Sequence, residues 1–217
     1  MNISSGSLWQ SPAGAIPAAR NRTVRECFEA HEGRQIDKWA HYLPIYERHF
    51  APYVGQAVRV LEIGVDHGGS LQLWKAYFGA RAQIVGVDID PRCKGYEEPQ
   101  IQVEIGNQED PAFWDSLWDH YTGFDIVIDD GSHRKSDQET SFKALWPSTR
   151  GIYLIEDCHF GYPNIPVHES IKRFFYQWLM VIQRPEYVDP PKRLIRGTPS
   201  RELREDEREA QRLHSDA

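Results

Sequence analysis

The sequence predicts an α/β fold in which helices cover both faces of a doubly wound, mostly parallel sheet. Two observations lead to this prediction. Short, nearly continuous apolar segments such as Val58–Ile63 and Phe124–Asp129 alternate with segments of helical periodicity, as in parallel sheets buried on both faces. Each apolar segment is also followed by polar or acidic residues, and such sheets bind ligands beyond the carboxyl ends of their strands.

The predicted elements begin with a long helical region. Thr23–Phe50 carries apolar and aromatic residues at helical spacing, and Gly33 is expected to divide it into two helices. Strands are then predicted at Val58–Ile63, Gln83–Asp88, Ile101–Ile105, Phe124–Asp129 and Gly151–Glu156. The helices between them are predicted at Ser70–Phe78, Pro111–Tyr121 and Ser136–Trp146.

The C-terminal third gives a weaker signal. Apolar residues between Val167 and Leu179 follow helical spacing, which favours a helix, although the run FFYQWLMVI at 174–182 also suits a strand. No convincing antiparallel hairpin follows Gly161. Either the 174–182 region supplies a strand, or the sheet lacks a complete C-terminal strand pair and a partner subunit covers its edge.

Composition excludes several classes of protein. The 217 residues carry a formal net charge of −7, which argues against a nucleic-acid binder. The longest nearly apolar run, Phe174–Ile182, is far shorter than the ~20 residues of a membrane helix. Cys27, Cys93 and Cys158 are widely spaced and predict no disulfide framework, and the N-terminal residues have no apolar signal core. We therefore expect a cytoplasmic protein without a membrane partner.

A glycine-containing loop follows the first predicted strand and leads into a helix. Its pattern is E-x-G-x-x-x-G, with Glu62, Gly64 and Gly68, followed by Ser70 at the start of the helix. The loop lacks the G-x-G pair of a dinucleotide site, and Glu62 would repel a pyrophosphate. An acidic loop suits a cationic cofactor, and S-adenosylmethionine, a sulfonium compound, is one.

Two further strand ends complete the predicted cofactor site. Asp88 ends the second strand, where a carboxylate can accept hydrogen bonds from both ribose hydroxyls. Asn107 and Gln108 follow the third strand and are candidates for contact with the adenine amino group. The alternative interpretation is an ordinary strand–turn–helix whose glycines serve packing.

Acidic residues also follow the fourth and fifth predicted strands, as Asp129-Asp130 and Glu156-Asp157. Adjacent strands would bring these carboxylates together, and clustered carboxylates repel one another unless a cation neutralises them. Oxygen ligands favour Mg²⁺, with Mn²⁺ as an alternative. Successive strand residues point to opposite faces, so we predict Asp130, Glu156 and Asp157 as ligands and a supporting role for Asp129.

His133 lies three residues beyond Asp130, and its unperturbed pKa of about 6.5 suits a general base near neutral pH. His159 is expected to be a bystander. Aromatic residues of the tract Asp37–Tyr42 are predicted to lie on a helix over the site, where Trp39 and Tyr42 either stack on an acceptor or only dock that helix.

These residues together resemble the macrocin-type sugar O-methyltransferases, a Mg²⁺-dependent group of class I methyltransferases with a Rossmann-like fold. The matching stretches run from Asp37 to Asp157 and are DKWAHYLPIYERHFAP, VRVLEIGVDHGGSLQLWK, VGVDID, IGNQED, FDIVIDDGSH and IYLIED. The paired IDDGSH and IED motifs are the most specific. Asn107 departs from the family, which often has Asp there, and His67 is unusual.

The resemblance implies S-adenosylmethionine as methyl donor, Mg²⁺ held by Asp130, Glu156 and Asp157, and His133 as the base. It implies a sugar hydroxyl of a glycoside or oligosaccharide precursor as acceptor. Two alternatives remain open. One is a catechol- or phenol-type methyltransferase, although that group has Lys where His133 stands, and the other is a non-catalytic subunit that binds the cofactor.

The predicted organisation has three parts. Residues 1–50 form an N-terminal arm and helices that cap the site, residues 51–183 form the methyltransferase core, and residues 184–217 form a loop and a charged C-terminal helix or tail. The expected partner is a small sugar or glycoside, and a homo-oligomer is compatible with the sequence.

Overall fold

The computed structural model describes residues 22–184. The predicted N-terminal arm up to residue 21 and the predicted C-terminal tail from residue 185 lie outside the described residues. Within the described part, a seven-stranded sheet has the order β3-β2-β1-β4-β5-β7-β6. Its strands are β1 (Arg59–Ile63), β2 (Gln83–Asp88), β3 (Ile101–Ile105), β4 (Phe124–Asp129), β5 (Thr149–Ile155), β6 (Lys172–Tyr176) and β7 (Leu179–Gln183).

Strands β1 to β5 are parallel to one another, which confirms the predicted doubly wound, mostly parallel sheet. The order reverses between β1 and β4, so their carboxyl ends form the crevice where such folds bind ligands. The helices are α1 (Val24–Glu29), α2 (Leu43–Phe50), α3 (Gly69–Phe78), α4 (Pro111–Leu117) and α5 (Lys135–Leu145). Helix α4 ends earlier than predicted, because residues 118–121 form short-range turns.

The helix favoured for the C-terminal third is wrong, and the sheet does not lack its last strand pair. Strands β6 and β7 form an antiparallel hairpin, and β7 pairs antiparallel with β5. The hairpin escaped detection because its two turn residues, Gln177 and Trp178, are neither Gly nor Asn. Trp178 nevertheless adopts φ 60°, a left-handed conformation that tight hairpin turns favour.

The N-terminal region is less helical than predicted. Helix α1 begins with a capping box in which Thr23 accepts from the Glu26 backbone N–H. Residues 31–39, hereafter the strap, are not helical, and a 3-10 turn at Ala40–Tyr42 leads into α2. The helix predicted over the tract Asp37–Tyr42 is therefore wrong, although Gly33 does lie between two helices as expected.

The two faces of the sheet are covered by different helices. Residues of α1, α2 and α3 pack on one face against Val60, Ile84 and Ile126, among others. Residues of α4 and α5 pack on the other face against Leu61, Val85 and other strand residues. Alternate strand residues thus enter opposite cores, as period-2 geometry requires. None of the helices within residues 22–184 has the length and apolar character needed to cross a membrane.

Candidate active site

The glycine loop runs directly over the end of β4. Gly64 has φ 91°, and a Cβ atom at this position would collide with the carbonyl oxygen of Asp130. The Gly64 N–H donates to the Val87 carbonyl of β2, 2.9 Å away. Only glycine satisfies both the left-handed backbone and this close approach, so the loop can bring backbone groups to a ligand.

A cavity of about 620 Å³ opens beside this loop. Its walls come from the glycine loop, the end of β2, the turn after β4 and the strap. Of the predicted cofactor residues, Gly64, Ser70 and Asp88 line the cavity, whereas Glu62, Gly68, Asn107 and Gln108 do not. The proposed metal and base residues Asp130, His133 and Asp157 line the same cavity.

Glu62 lies beneath the cavity floor and is fully buried. It accepts a hydrogen bond from the Ser70 hydroxyl at 2.7 Å. Burial raises the pKa of this carboxyl, and the nearby Lys38 ammonium opposes the rise. Glu62 therefore supports the glycine loop and the start of α3 from below.

Asp88 holds the loop from the side of β2. One of its oxygens accepts hydrogen bonds from the backbone N–H groups of Val65 and Asp66, at 2.8 and 3.2 Å. The other oxygen accepts from the Asp90 N–H at 2.9 Å. The carboxylate is thus fixed at the edge of the cavity, where its remaining lone pairs can receive ribose hydroxyls.

The side chains of Asn107 and Gln108 are engaged elsewhere. Gln108 is buried, donates to Asp129 at 2.7 Å and accepts from the Ser132 N–H at 2.9 Å. Asn107 hydrogen-bonds the backbone and side chain of Glu109. In this structure Gln108 shapes the turn after β4 instead of facing the cavity, a role that its position after β3 did not suggest.

Three proposed site residues converge at the ends of β4 and β5. One ligand atom from each of Asp130, His133 and Asp157 lies within 4.8 Å of the others. His133 Nε2 lies 3.1 Å from Asp130 Oδ1 and 3.8 Å from Asp157 Oδ2. Two carboxylates at this spacing offer the hard oxygen ligands that Mg²⁺ prefers, so this donor set fits a divalent cation.

Backbone strain marks the same place. His133 and Asp157 have φ values of 59° and 52°, and Trp178, whose carbonyl accepts from Tyr42, has φ 60°. Non-glycine residues rarely adopt such angles, and when the surrounding structure enforces them they cluster at functional sites.

Glu156 is placed differently from its predicted partners. Its carboxylate is buried, accepts from the Tyr46 hydroxyl at 2.7 Å and lies 3.1 Å from the Lys38 ammonium. Burial and the neighbouring charge of Asp130 raise the pKa of Glu156 well above its usual range, against the pull of Lys38. It lies behind the group of three, and its place as a third ligand stays a prediction.

Asp129 faces the opposite side of the sheet from Asp130. It is fully buried and accepts hydrogen bonds from Gln108, Ser141 and Tyr153. Its contacts agree with the supporting role expected for it.

Asp157 is held by side chains from the strap, the following 3-10 turn and the segment after β5. Trp39 Nε1 and the Tyr42 hydroxyl donate to its Oδ1 at 3.1 and 2.9 Å, and His159 Nε2 lies 3.3 Å from the same atom. The rings of Trp39, His159 and Trp178 contact one another beside it. His159, expected to be a bystander, is thus part of the surroundings of Asp157.

The residue that sequence reasoning missed is Lys38. Its side chain is only 2% exposed, and its ammonium lies 2.5 to 3.2 Å from carboxylate oxygens of Asp130, Glu156 and Glu62. Burial disfavours the charged form, yet the three carboxylates hold the pKa of Lys38 well above its usual value. The sequence does show a lysine in the tract Asp37–Tyr42 and acidic residues at the strand ends. Their pairing was not predictable, because Lys38 and Asp130 are 92 residues apart and no local pattern connects them.

The pKa of His133 is raised, chiefly by its hydrogen bond to Asp130 and despite partial burial. The adjacent carboxylates stabilise a protonated imidazole. An imidazole in this position can therefore accept a proton at its other ring nitrogen, and the two neighbouring carboxylates stabilise the resulting positive charge.

The sequence of this chain is similar to those of named O-methyltransferases. No family model matches the chain. It is 41% identical over 141 residues to the 8-demethyl-8-(2-methoxy-alpha-L-rhamnosyl)-tetracenomycin-C 3'-O-methyltransferase of Streptomyces olivaceus, covering 61% of this chain and 36% of that protein. It is 45% identical over 130 residues to the mycinamicin VI 2''-O-methyltransferase of Micromonospora griseorubida, covering 56% of this chain and 32% of that protein. The chain therefore spans about a third of the length of these relatives.

A solved structure of the MycE methyltransferase from the mycinamycin biosynthetic pathway, in complex with Mg, SAH and mycinamycin VI, is also similar. It aligns with a TM-score of 0.65 and 30% identity over 82% of this chain and 58% of that one. This similarity confirms the Rossmann-like methyltransferase fold predicted for the core.

Proposed function

We propose that this protein is an O-methyltransferase that transfers a methyl group from S-adenosylmethionine to a sugar hydroxyl with the help of Mg²⁺. The observation that carries the proposal is the convergence of Asp130, His133 and Asp157 within 4.8 Å, in the wall of the cavity that the glycine loop also lines. The similarity to enzymes named as sugar O-methyltransferases, and to MycE in complex with Mg and SAH, supports it.

The cavity fits a sulfonium cofactor in its chemistry. Asp88 would receive the ribose hydroxyls, and Gly64 would let backbone approach the ligand. Gly68 would act indirectly, because a Cβ atom there would collide with the Tyr96 ring, and Ser70 would hold Glu62 under the loop. The acidic surroundings favour a cation over a pyrophosphate. Bound there, S-adenosylmethionine supplies an electrophilic methyl group. The side chains of Asn107 and Gln108 are engaged in other hydrogen bonds, so we propose that only their backbone groups contact the adenine.

The metal would be held by Asp130 and Asp157, with Glu156 as the third proposed ligand. Held there, a divalent cation would supply the Lewis acidity that makes a sugar hydroxyl easier to deprotonate. The chain's own part is orientation: Trp39 and Tyr42 donate to Asp157 Oδ1, which leaves Oδ2 facing His133 and the cavity.

His133 is proposed as the general base. Its Nε2–H donates to Asp130 and lies 3.8 Å from Asp157, so the other ring nitrogen, Nδ1, would accept the proton of the acceptor hydroxyl. Asp130 then stabilises the imidazolium through the hydrogen bond already present. General-base catalysis of this kind typically raises the rate by about 10²–10⁴-fold.

The acceptor would bind beside Asp157. Trp39 exposes 48% of its surface there and contacts His159 and Trp178. Flat aromatic faces suit the apolar face of a sugar ring. We propose Trp39 as one acceptor wall and residues 162–166 as another.

The test is a substrate panel. Purified protein is incubated with S-adenosylmethionine, Mg²⁺ and either glycosylated macrolides and rhamnosides or simple catechols, and release of S-adenosylhomocysteine is measured together with product mass. Turnover of a glycoside, lost in EDTA and restored by Mg²⁺, is expected. Turnover of catechols alone would favour the phenol-type alternative, and full turnover in excess chelator would eliminate the metal.

The three-part organisation, the cytoplasmic location, the absence of nucleic-acid partners and a homo-oligomeric state stay predictions.

A further inference from the structure

A buried ammonium ties together three adjacent strands at the candidate site. Glu62 lies near the end of β1, Asp130 follows β4, and Glu156 follows β5. The Lys38 side chain is 2% exposed and reaches all three carboxylates, at 3.2, 2.5 and 3.1 Å. An ammonium has three N–H donors and can therefore face three acidic partners at once.

Asp130 is shared between this ammonium and the proposed metal site. Its Oδ2 accepts from Lys38, while its Oδ1 faces His133 in the group that could hold a cation. Any divalent cation bound there would therefore share a carboxylate with a fixed positive charge only a few ångströms away.

The ammonium is held in place by contacts on both sides of the strap. Arg34 donates to the Tyr96 carbonyl and pairs with Glu98, and its own N–H donates to Gln72. At the other end, Trp39 donates to Asp157. These contacts fix the backbone of the strap on either side of Lys38.

We propose that Lys38 is a built-in counter-cation that sets the affinity of the candidate metal site. It lets three carboxylates converge, two of them fully buried, and by its charge it weakens the binding of a divalent cation, so that the ion stays exchangeable. Lys38 lines the cavity, but in this scheme it acts on the metal through Asp130 and not on the reacting atoms, so it is a positioning residue. The inference rests on the proposed function, because it presupposes that the site binds a divalent cation.

The test measures Mn²⁺ binding to the full chain without cofactor. The dissociation constant is obtained from the electron paramagnetic resonance signal of free Mn²⁺ at fixed ionic strength. Lys38→Met removes the charge but keeps most of the side-chain volume, and we expect Mn²⁺ to bind about tenfold or more tightly, since a like charge at short range is removed. Lys38→Arg keeps the charge and should restore the affinity of the unaltered protein.

Lys75→Met is the matched control. Lys75 pairs with Glu98 at 2.7 Å, near the Arg34 end of the strap. It is not a partner of the acid cluster, by which we mean the carboxylates of Glu62, Asp130 and Glu156. This variant loses a lysine–carboxylate ion pair whose carboxylate also pairs with Arg34 of the strap, but it leaves the charge beside Asp130 unchanged, so its Mn²⁺ affinity should not change. Equal tightening in Lys75→Met, or unchanged or weaker Mn²⁺ binding in Lys38→Met, would overturn the inference.

Loss of a buried partner is destabilising, so folding of each variant is checked by circular dichroism. If Lys38→Met does not fold, Glu62→Gln serves instead. It removes one of the three partners of the ammonium without touching the proposed ligands, leaves the charge of Lys38 less compensated, and should weaken Mn²⁺ binding severalfold. Unchanged affinity in Glu62→Gln would contradict the inference.

The two proposals fail in different ways. If the unaltered protein binds Mn²⁺ and Lys38→Met binds it no more tightly, only the role of Lys38 falls. If neither protein binds Mn²⁺, both proposals fall together.

Discussion

At the scale of single residues, the conformation and the neighbours of His133 are the features that bear most on the proposed chemistry. Its backbone is left-handed, and its ring nitrogen lies between Asp130 and Asp157. Both features fix the imidazole where a proton leaving the acceptor would be received. This position suggests a role in turnover rather than in binding the methyl donor.

Replacing His133 with alanine tests that role. We expect His133→Ala to lower turnover by about 10²–10⁴-fold, because the proton acceptor is lost. Binding of S-adenosylhomocysteine, measured by calorimetry, should be almost unchanged. The assignment would be contradicted if His133→Ala lost its affinity for S-adenosylhomocysteine, because the loss of turnover would then come from lost cofactor binding.

The raised pKa of His133 also predicts a pH dependence of stability. The folded pKa exceeds the ordinary value of 6.5, so the folded state binds the proton more tightly than the unfolded state. The stabilisation is fully present below the unfolded pKa and is lost as pH rises through the folded pKa. In EDTA, the stability advantage of the unaltered protein over His133→Asn should shrink as pH rises above the ordinary histidine pKa of 6.5.

Urea unfolding at several pH values measures this advantage. An advantage that is constant with pH, or that grows as pH rises, would show that the hydrogen bond between His133 and Asp130 is not formed as described.

Much of this chemistry was predictable from the sequence, and its limits are physical. Asp130, His133 and Asp157 follow strand ends, and parallel strands bring such ends together whatever the details of packing. The side-chain positions of Gln108 and Lys38 were not predictable. Gln108 turns away to satisfy buried Asp129, and Lys38 depends on the path of a strap without regular structure.

At the scale of elements, the C-terminal hairpin completes the sheet. Strand β7 inserts between β5 and β6, and its residues Leu179 to Ile182 are almost fully buried. Because both faces of β7 are covered, its sequence is a continuous apolar run without alternation, and periodicity alone could not separate strand from helix. The five parallel strands were predictable because turn residues and helices bound each of them.

Truncation of a buried residue in β7 should be costly. Leu179 is fully buried, so Leu179→Ala is expected to lower the free energy of unfolding by about 2–5 kcal/mol through lost contacts and a residual cavity. Phe175 in β6 is 44% exposed, and Phe175→Ala should cost less than about 1 kcal/mol. Urea unfolding of both variants measures the difference, and equal costs would contradict the placement of β7 inside the sheet.

The strap gives the N-terminal region a function in the site. It lines the cavity with Gln35 to Lys38, and it reaches the acid cluster through Lys38 and Asp157 through Trp39. The helix predicted over Asp37–Tyr42 is wrong because this tract is an irregular segment followed by a 3-10 turn, from which Tyr42 enters the core while Trp39 stays half exposed. Its contacts with the site depend on tertiary packing alone.

At the scale of the whole molecule, the order of the sheet determines where charge accumulates. Strands β1, β4 and β5 are neighbours, and each ends in acidic residues on the same edge. A net charge of −7 with this concentration of carboxylates favours cationic ligands at that edge. The fold, the cavity and the acid cluster thus support a single site for a sulfonium cofactor and a divalent cation.

The most direct test of this central claim is a crystal structure with S-adenosylhomocysteine and Mn²⁺, using anomalous scattering to locate the ion. The proposed function predicts an anomalous peak within bonding distance of carboxylate oxygens of Asp130 and Asp157, with the cofactor's sulfur in the adjoining cavity. A fully occupied cofactor with no ion at these carboxylates, or an ion bound elsewhere, would contradict it.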